Sequence, residues 1–260
     1  MTQADFWSTN PCGVDGNLSQ VIGQRYRMEP WLPRELRTIP AGLGKYLEVG
    51  CGQGVDSFYI CSKLDKKDDY IGIDFSKESI RRAENYRVDA QKKFKLKTNP
   101  KFLKGDALNL NFNADEFDFI YSMGVIHHTP DSQQAINEIH RVLKTGAQAK
   151  IFLYRRYAFK VGVAKILRML QTCLDKIFSK DRCVYKLLNK EKTGFFGSMF
   201  LECFGVPWME WYSERELRLM FSQFSKVSIK PYGFNLPKFT GAEIDGYNPL
   251  GYFFLIDVTK

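Results

Sequence analysis

The stretch Leu47-Glu48-Val49-Gly50-Cys51-Gly52-Gln53-Gly54 constrains this chain more than any other. An apolar run (Tyr46, Leu47, Val49) ends in three glycines, each separated from the next by one residue. Twenty residues past the last glycine, Ile71-Gly72-Ile73 ends in an acid, Asp74. A doubly wound α/β fold holds a nucleoside with the same order of parts: strand, tight glycine turn, helix, then a second strand tipped by a carboxylate. Glycine lets the backbone approach a ligand where a Cβ would clash. The carboxylate can accept both hydroxyls of a ribose. The expected ligand is therefore a cofactor containing adenosine.

Residues 45–154 continue as alternating strands and helices. The pattern predicts strands over 45–49, 70–74, 101–104, 117–122 and 148–154, and helices over 55–64 and 76–94. Ser76 is a suitable N-cap. A further helix is expected to start at Thr129-Pro130, with Pro at the first helical position, and to end at Lys144-Thr145-Gly146. It would bury Ala135, Ile136, Ile139, Val142 and Leu143, with His140 as a core residue. Such alternation implies a mostly parallel sheet covered on both faces.

The rhythm then changes. Phe159, Val163, Ile166, Leu167, Leu170, Leu174 and Ile177 recur at helical spacing, with Lys160, Lys165, Arg168 and Lys176 mostly elsewhere on the same helix. This basic amphipathic helix is expected to act as a lid; docking on a membrane surface is the alternative. An aromatic, glycine-rich stretch runs from Phe195-Phe196-Gly197 to Trp208-Met209-Glu210-Trp211-Tyr212, a composition suited to lining a site. Ser213-Glu214-Arg215-Glu216 forms a capping box with Tyr212 and Leu217 as its staple. Strands over 227–232 and 252–259, with no helix between them, predict a closing antiparallel hairpin. The organisation expected is a cap segment over 1–44, a cofactor-binding core over 45–154, a lid over 155–212 and a return to the core sheet over 213–260.

Bulk properties exclude several classes. No stretch is long and apolar enough to cross a bilayer, and Met1 to Asn10 lacks the pattern of a secretory leader. The six cysteines include no Cys-x-x-Cys pair, so reduced thiols in a cytoplasm are expected, with no metal site. The net charge of +9 suits nucleic acid, a membrane surface or an anionic small molecule. From Arg155 to Lys192 eleven Lys or Arg stand against three acids, a local net of +8.

The glycine spacing also discriminates among cofactors. A nicotinamide site calls for Gly-x-Gly-x-x-Gly, and a P-loop for Gly-Lys-Ser/Thr; neither is present. Glu48-Val49-Gly50-Cys51-Gly52-Gln53-Gly54 resembles motif I of the class I S-adenosylmethionine-dependent methyltransferases. Gly72-Ile73-Asp74-Phe75-Ser76 resembles the segment bearing the ribose-binding acid of that family, and Gly105-Asp106-Ala107 the one whose acid contacts the adenine amine. Phe117-Asp118-Phe119-Ile120-Tyr121-Ser122, then Val125-Ile126-His127-His128, resembles its fourth strand and loop. Glu138-Ile139-His140-Arg141-Val142-Leu143-Lys144 resembles the helix before strand five. One departure is Lys144-Thr145-Gly146-Ala147, where the family commonly has Lys-Pro-Gly-Gly.

The resemblance implies a Rossmann-like, doubly wound, mostly parallel seven-stranded sheet with S-adenosylmethionine as cofactor. Glu48, Gly50, Gly52, Gly54, Asp74, Phe75, Asp106, Ala107 and Ser122 are its expected contacts. The subgroup resembled is small-molecule methyltransferases of the ubiquinone-biosynthesis type. Phe6-Trp7, Asn10-Pro11-Cys12-Gly13 and Arg25-Tyr26 through Pro30-Trp31 resemble the leading segment of its bacterial members, whose N-terminal helices help cover the site. The expected reaction is methyl transfer to an oxygen or nitrogen of a small molecule.

Such a transfer needs mainly in-line geometry, with a base only when the acceptor must lose a proton. His127 and His128 follow strand four at the ligand-binding edge and are the catalytic candidates, the alternative being that they only shape the pocket. Arg155 and Arg156, leaving strand five beside Tyr154, are candidates for holding the acceptor, as are Glu210 and Tyr212. Two alternatives are carried. A nucleic-acid methyltransferase is favoured by the +8 segment, but Ser122-Met123-Gly124-Val125 stands where an amino-methylating Asn-Pro-Pro-Tyr would be. A non-catalytic S-adenosylmethionine-binding protein is the other.

Overall fold

The computed structural model describes residues 6–7, 16–179, 204, 206, 208–233 and 246–260. Two helices lead, α1 (Leu18–Met28) and α2 (Leu32–Leu36), followed by β1 (Lys45–Val49), α3 (Val55–Cys61), β2 (Asp69–Asp74), α4 (Lys77–Phe94), β3 (Lys101–Lys104) and β4 (Phe117–Met123). A 3-10 turn (Ile126–His128) precedes α5 (Ser132–Val142), β5 (Leu143–Tyr154), α6 (Phe159–Phe178), α7 (Glu214–Met220), β6 (Lys226–Tyr232) and β7 (Phe253–Thr259).

The seven strands form one sheet in the order β3-β2-β1-β4-β5-β7-β6. Strands β1 to β5 pair in parallel, while β7 runs antiparallel to both β5 and β6. The expected sheet and closing hairpin are present. β1 is buried along four of its five residues, as an interior parallel strand covered on both faces must be. Alternation sends Tyr46 into one core cluster with Trp31, Phe58 and Phe152. Leu47 and Val49 enter the other, with Ile136, Ile139, Leu217 and Phe221. The chain leaves β1 through β2 to β3 and returns as β4 on the other side of β1. Ligands of such sheets bind outside the carboxyl ends of the strands at this reversal.

Local signals set the helix ends. Ser76 caps α4 by accepting from Ser79 N–H, and Ser213 with Glu216 forms the predicted capping box on α7. Two expectations are corrected here. Helix α5 starts at Ser132, not Thr129-Pro130, because Asp131 accepts from Gln134 N–H and is its cap; the Thr129 hydroxyl instead closes the preceding turn on Ile126 O at 2.7 Å. β5 starts at Leu143 directly after α5. Lys144-Thr145-Gly146 is absorbed as a register irregularity in that strand, with Gly146 N–H donating to Lys260 O at 3.0 Å. His140 also differs from expectation. It is half-buried at the rim of α5, edge-on to Phe224 with ring centroids 4.9 Å apart.

Candidate functional site

The glycine turn closes on itself and on β2. The N–H groups of Gly50 and Cys51 both donate to Ile73 O at 2.8 Å, and Gly54 N–H donates to Cys51 O at 2.9 Å. Gly50 has φ +84° and faces the loop after β4: a Cβ built there would lie 1.9 Å from Val125 Cγ2. Gly52 has φ +52°, and a Cβ there would meet nothing within 4 Å. The first glycine is therefore required by packing, while the second opens onto free space. Its N–H donates to Asp74 Oδ2 at 2.9 Å, and Ser76 N–H donates to Asp74 Oδ1 at 2.9 Å. Burial holds the Asp74 carboxyl above its ordinary range, with the two N–H donors pulling the other way.

Next along the same edge comes Phe75, exposed, with the Lys104 ammonium 5.7 Å from its ring centroid. Gly105 N–H donates to Asp74 O at 3.0 Å, which seats Asp106 beside this pair. Asp106 and Ala107 are half-buried, and Asp106 Oδ1 accepts from Leu108 N–H at 2.9 Å. The turn, Asp74-Phe75 and Asp106-Ala107 thus line up at the carboxyl ends of β1, β2 and β3. Open space at Gly52, flanked by partly accessible carboxylates, is an arrangement that fits an adenosine-bearing cofactor.

Two of the expected contacts have their side chains bonded within the fold. The Glu48 carboxylate is 2% exposed and accepts from the Ser57 and Tyr70 hydroxyls, the latter at 2.8 Å. Burial, with Asp56 nearby, pushes its pKa up to about 7. Ser122 is buried and its hydroxyl donates to Val49 O at 3.0 Å, tying β4 to β1. Both side chains are committed to the framework beneath the turn.

The 3-10 turn after β4 brings both candidate histidines to this edge, and Val125, lying on Gly50, anchors it. His127 is fully buried, its ring centroid 3.9 Å from that of Tyr154 and 4.4 Å from that of His128. Among the described residues, neither ring nitrogen of His127 has a hydrogen-bond partner. Burial, then the neighbouring His128, drives its pKa well below the ordinary imidazole value. His128 places Nδ1 3.2 Å from Trp208 O, so Nδ1–H is the donor. Its pKa is pushed down to about 4, mainly by burial. Trp7 packs on His128 at 5.5 Å between ring centroids. Both imidazoles are neutral near pH 7.

Of the residues expected to hold the acceptor, Arg156, Glu210 and Tyr212 tie down the segment around 208–212, while the Arg155 guanidinium holds the turn before β7. Arg156 donates to Trp211 O at 3.0 Å and Glu216 Oε1 at 2.7 Å. Arg155 donates to Pro249 O at 2.6 Å. Glu210 accepts from the Tyr212 hydroxyl and from Ser132 Oγ, the latter at 3.1 Å. Burial raises the Tyr212 phenol above its ordinary range. A groove of about 730 Å³ runs along this segment, lined in part by Arg156, Trp208, Trp211 and Met220. Of the expected lining stretch, Phe195-Phe196-Gly197 lies outside the described residues, as does Asn10-Pro11-Cys12-Gly13 of the leading segment.

Sequence reasoning missed the polar network under the site. Arg25 Nη2 of α1 lies 2.6 Å from Asp56 Oδ2, and the Tyr121 hydroxyl donates to the same oxygen at 3.2 Å. Asp56 in the first turn of α3 was its one local signal; the arginine comes from thirty-one residues away.

A family model described as "Methyltransferase domain" matches residues 42–193. Demethylmenaquinone methyltransferase of Staphylococcus carnosus is 27% identical over 169 residues, 64% of this chain and 67% of that protein. Sterol 24-C-methyltransferase of Debaryomyces hansenii is 34% identical over 102 residues, 39% of this chain and 26% of that protein. The crystal structure of a SAM-dependent methyltransferase from Thermotoga maritima matches over 100% of both chains with a TM-score of 0.64 at 16% identity, a likeness of fold.

Proposed function

The chain belongs to the methyltransferase-domain family that matches its residues 42–193, and from that premise we propose that it methylates a small, uncharged aromatic or quinone-like acceptor at oxygen or nitrogen. It is a class I S-adenosylmethionine-dependent methyltransferase. The observation that carries the acceptor reading is His127. A buried neutral imidazole with two unpartnered nitrogens, walled by Tyr154 and His128, is an incomplete hydrogen-bonding site in aromatic surroundings.

Bound S-adenosylmethionine supplies a sulfonium methyl that needs no further activation. Asp74 would hold the ribose hydroxyls, Asp106 the adenine amine, and Gly52 would admit the ligand against its backbone. His127 would accept the proton-bearing group of the acceptor and orient its lone pair, so that the chain supplies mainly alignment. Trp7 and the 1–44 segment would cover one side of the acceptor, and 155–212 the other. Arg155, Arg156, Glu210 and Tyr212 would act by positioning that cover.

A carbon acceptor is the second reading, favoured by the name of the 24-C sterol relative. Nucleic acid is disfavoured by how the basic residues of α6 are used. The Lys165 ammonium rests 5.0 Å from the Trp211 ring centroid, and Arg168 donates to Val206 O at 2.9 Å.

The test is S-adenosylhomocysteine release with uncharged phenols, quinols and aromatic amines, set against RNA and duplex DNA. Turnover with the small molecules alone is expected, with NMR of the product locating the methyl group. Turnover with nucleic acid alone would overturn the proposal.

A further inference from the structure

Helix α6 is mounted with its apolar stripe outward. Phe159, Val163, Ile166, Leu170 and Ile177 recur at intervals of three, four or seven residues and share one face. All five are exposed, Phe159 by 78% and Ile177 by 72%. Met169 flanks them and is exposed by 60%. The opposite face carries Val161, Ala164, Arg168 and Gln171. Val161 and Ala164 are buried. Arg168 and Gln171 reach inward to Val206 O and Phe204 O, each at 2.9 Å. An ordinary surface helix turns its apolar face to the core, so this one runs opposite to the rule. An outward apolar stripe of this length marks an interaction surface.

We propose that α6 docks on the surface of an anionic lipid bilayer, with this stripe in the headgroup and acyl boundary. Charge selects the occupant. Residues Arg155 to Lys192, which include the helix, carry eleven Lys or Arg against three acids; Arg155, Arg156 and Arg168 are tied inward, which leaves eight against three. On α6 itself Lys176 is exposed, while the exposed Lys165 rests its ammonium 5.0 Å from the Trp211 ring centroid. A second copy of the chain would set one strongly basic segment against another, whereas an anionic surface complements it. No helix among the described residues is long and apolar enough to cross a membrane. An apolar stripe flanked by lysine is the pattern of a helix lying in the interface plane.

The inner face of α6 holds the segment whose Trp208 carbonyl meets His128, so the docked bilayer would lie over the cover of the histidine site. This link to the acceptor rests on the proposed function; the docking itself does not.

The test is co-sedimentation of the full chain with vesicles of phosphatidylcholine alone, or of equal parts phosphatidylglycerol and phosphatidylcholine. The double variant Ile166→Glu, Leu170→Glu is the control, since both side chains face outward. The wild type is expected to pellet with the mixed vesicles and not with phosphatidylcholine alone, and less at high salt. The double variant should lose at least about tenfold in partitioning and keep the same thermal shift with S-adenosylhomocysteine.

Three results overturn the docking: no pelleting of the wild type, equal pelleting of the variant, or a stripe-dependent dimer in light scattering without lipid binding. A wild type that shows no S-adenosylhomocysteine shift counts against the methyltransferase reading and leaves the docking result to stand separately.

Discussion

The amide of Gly52 donates to Asp74 Oδ2 across 2.9 Å, so the glycine turn and the acid at the tip of β2 are joined before any ligand arrives. The same turn is held from the other side by Val125, which fills the space that a Cβ on Gly50 would need. Gly50 and Gly52 therefore do different work, and substitution separates them.

Gly50→Ala places a Cβ 1.9 Å from Val125 Cγ2 in a backbone at φ +84°. It is expected to destabilise the fold by more than the roughly 1–2 kcal/mol that left-handed backbone costs an alanine, because Val125 and the histidine turn must also move. Gly52→Ala carries the backbone cost alone, since its Cβ meets open space. Urea denaturation should show the larger loss for Gly50→Ala. Calorimetry should show Gly52→Ala losing S-adenosylhomocysteine affinity while still folded. Equal stability losses would contradict this division.

Glu48 sets a pH dependence. Its pKa is raised from 4.5 to about 7 in the folded state, so between those values the folded chain binds the extra proton. Stability should fall as pH rises through that window, by about 3 kcal/mol if the group acts alone. Glu48→Gln mimics the protonated form and should flatten this trend, making the variant more stable than the wild type at pH 8. Melting temperature against pH for the two proteins checks it; parallel curves would refute it.

The histidines act in the opposite direction. His128 falls from 6.5 to about 4 on folding, so its contribution is complete above pH 6.5 and is lost as pH falls toward 4. Because both imidazoles stay neutral to well below pH 6, kcat/KM should show no acid limb near 6.5. A limb at 6.5 would mean that a histidine is charged in the free enzyme.

Among the described residues His127 has no partner for either nitrogen, so His127→Phe should cost little stability while lowering kcat. The expected loss is about a hundredfold or more if proton removal is involved. His127→Gln should recover part of it through hydrogen bonding. Unchanged kcat in His127→Phe would leave the residue only a wall of the pocket.

Local chemistry made much of this readable in the sequence. Gly50 to Asp74 lies within one strand-turn-helix-strand unit, and Ser76, Ser213 and Glu216 cap helices through bonds spanning three residues. The misses are non-local or competitive. Asp131 outcompetes Thr129 as the cap of α5. The side-chain bonds of Glu48 to Tyr70 and of Ser122 to Val49 O cross between neighbouring strands, which no local pattern announces. Periodicity located the stripe on α6 without showing which way it faces, because the inward side is carried by Ala164, Arg168 and Gln171, not by large apolar residues.

Removing the Arg25 guanidinium should expose the network's cost. Arg25→Met leaves Asp56 buried without its ion pair and should destabilise by about 3 kcal/mol. Arg25→Met with Asp56→Leu should recover part of that loss. A double-mutant cycle by denaturation measures the coupling, and strictly additive losses would contradict it.

The central claim is that the unit of Gly52 and Asp74 binds the cosubstrate. Isothermal titration of S-adenosylhomocysteine into the wild type and Asp74→Ala tests it most directly. A saturable exothermic isotherm is expected for the wild type and at least about a tenfold weaker one for Asp74→Ala, the loss of roughly one charged hydrogen-bonding group. Equal affinity in a folded Asp74→Ala variant would contradict the assignment.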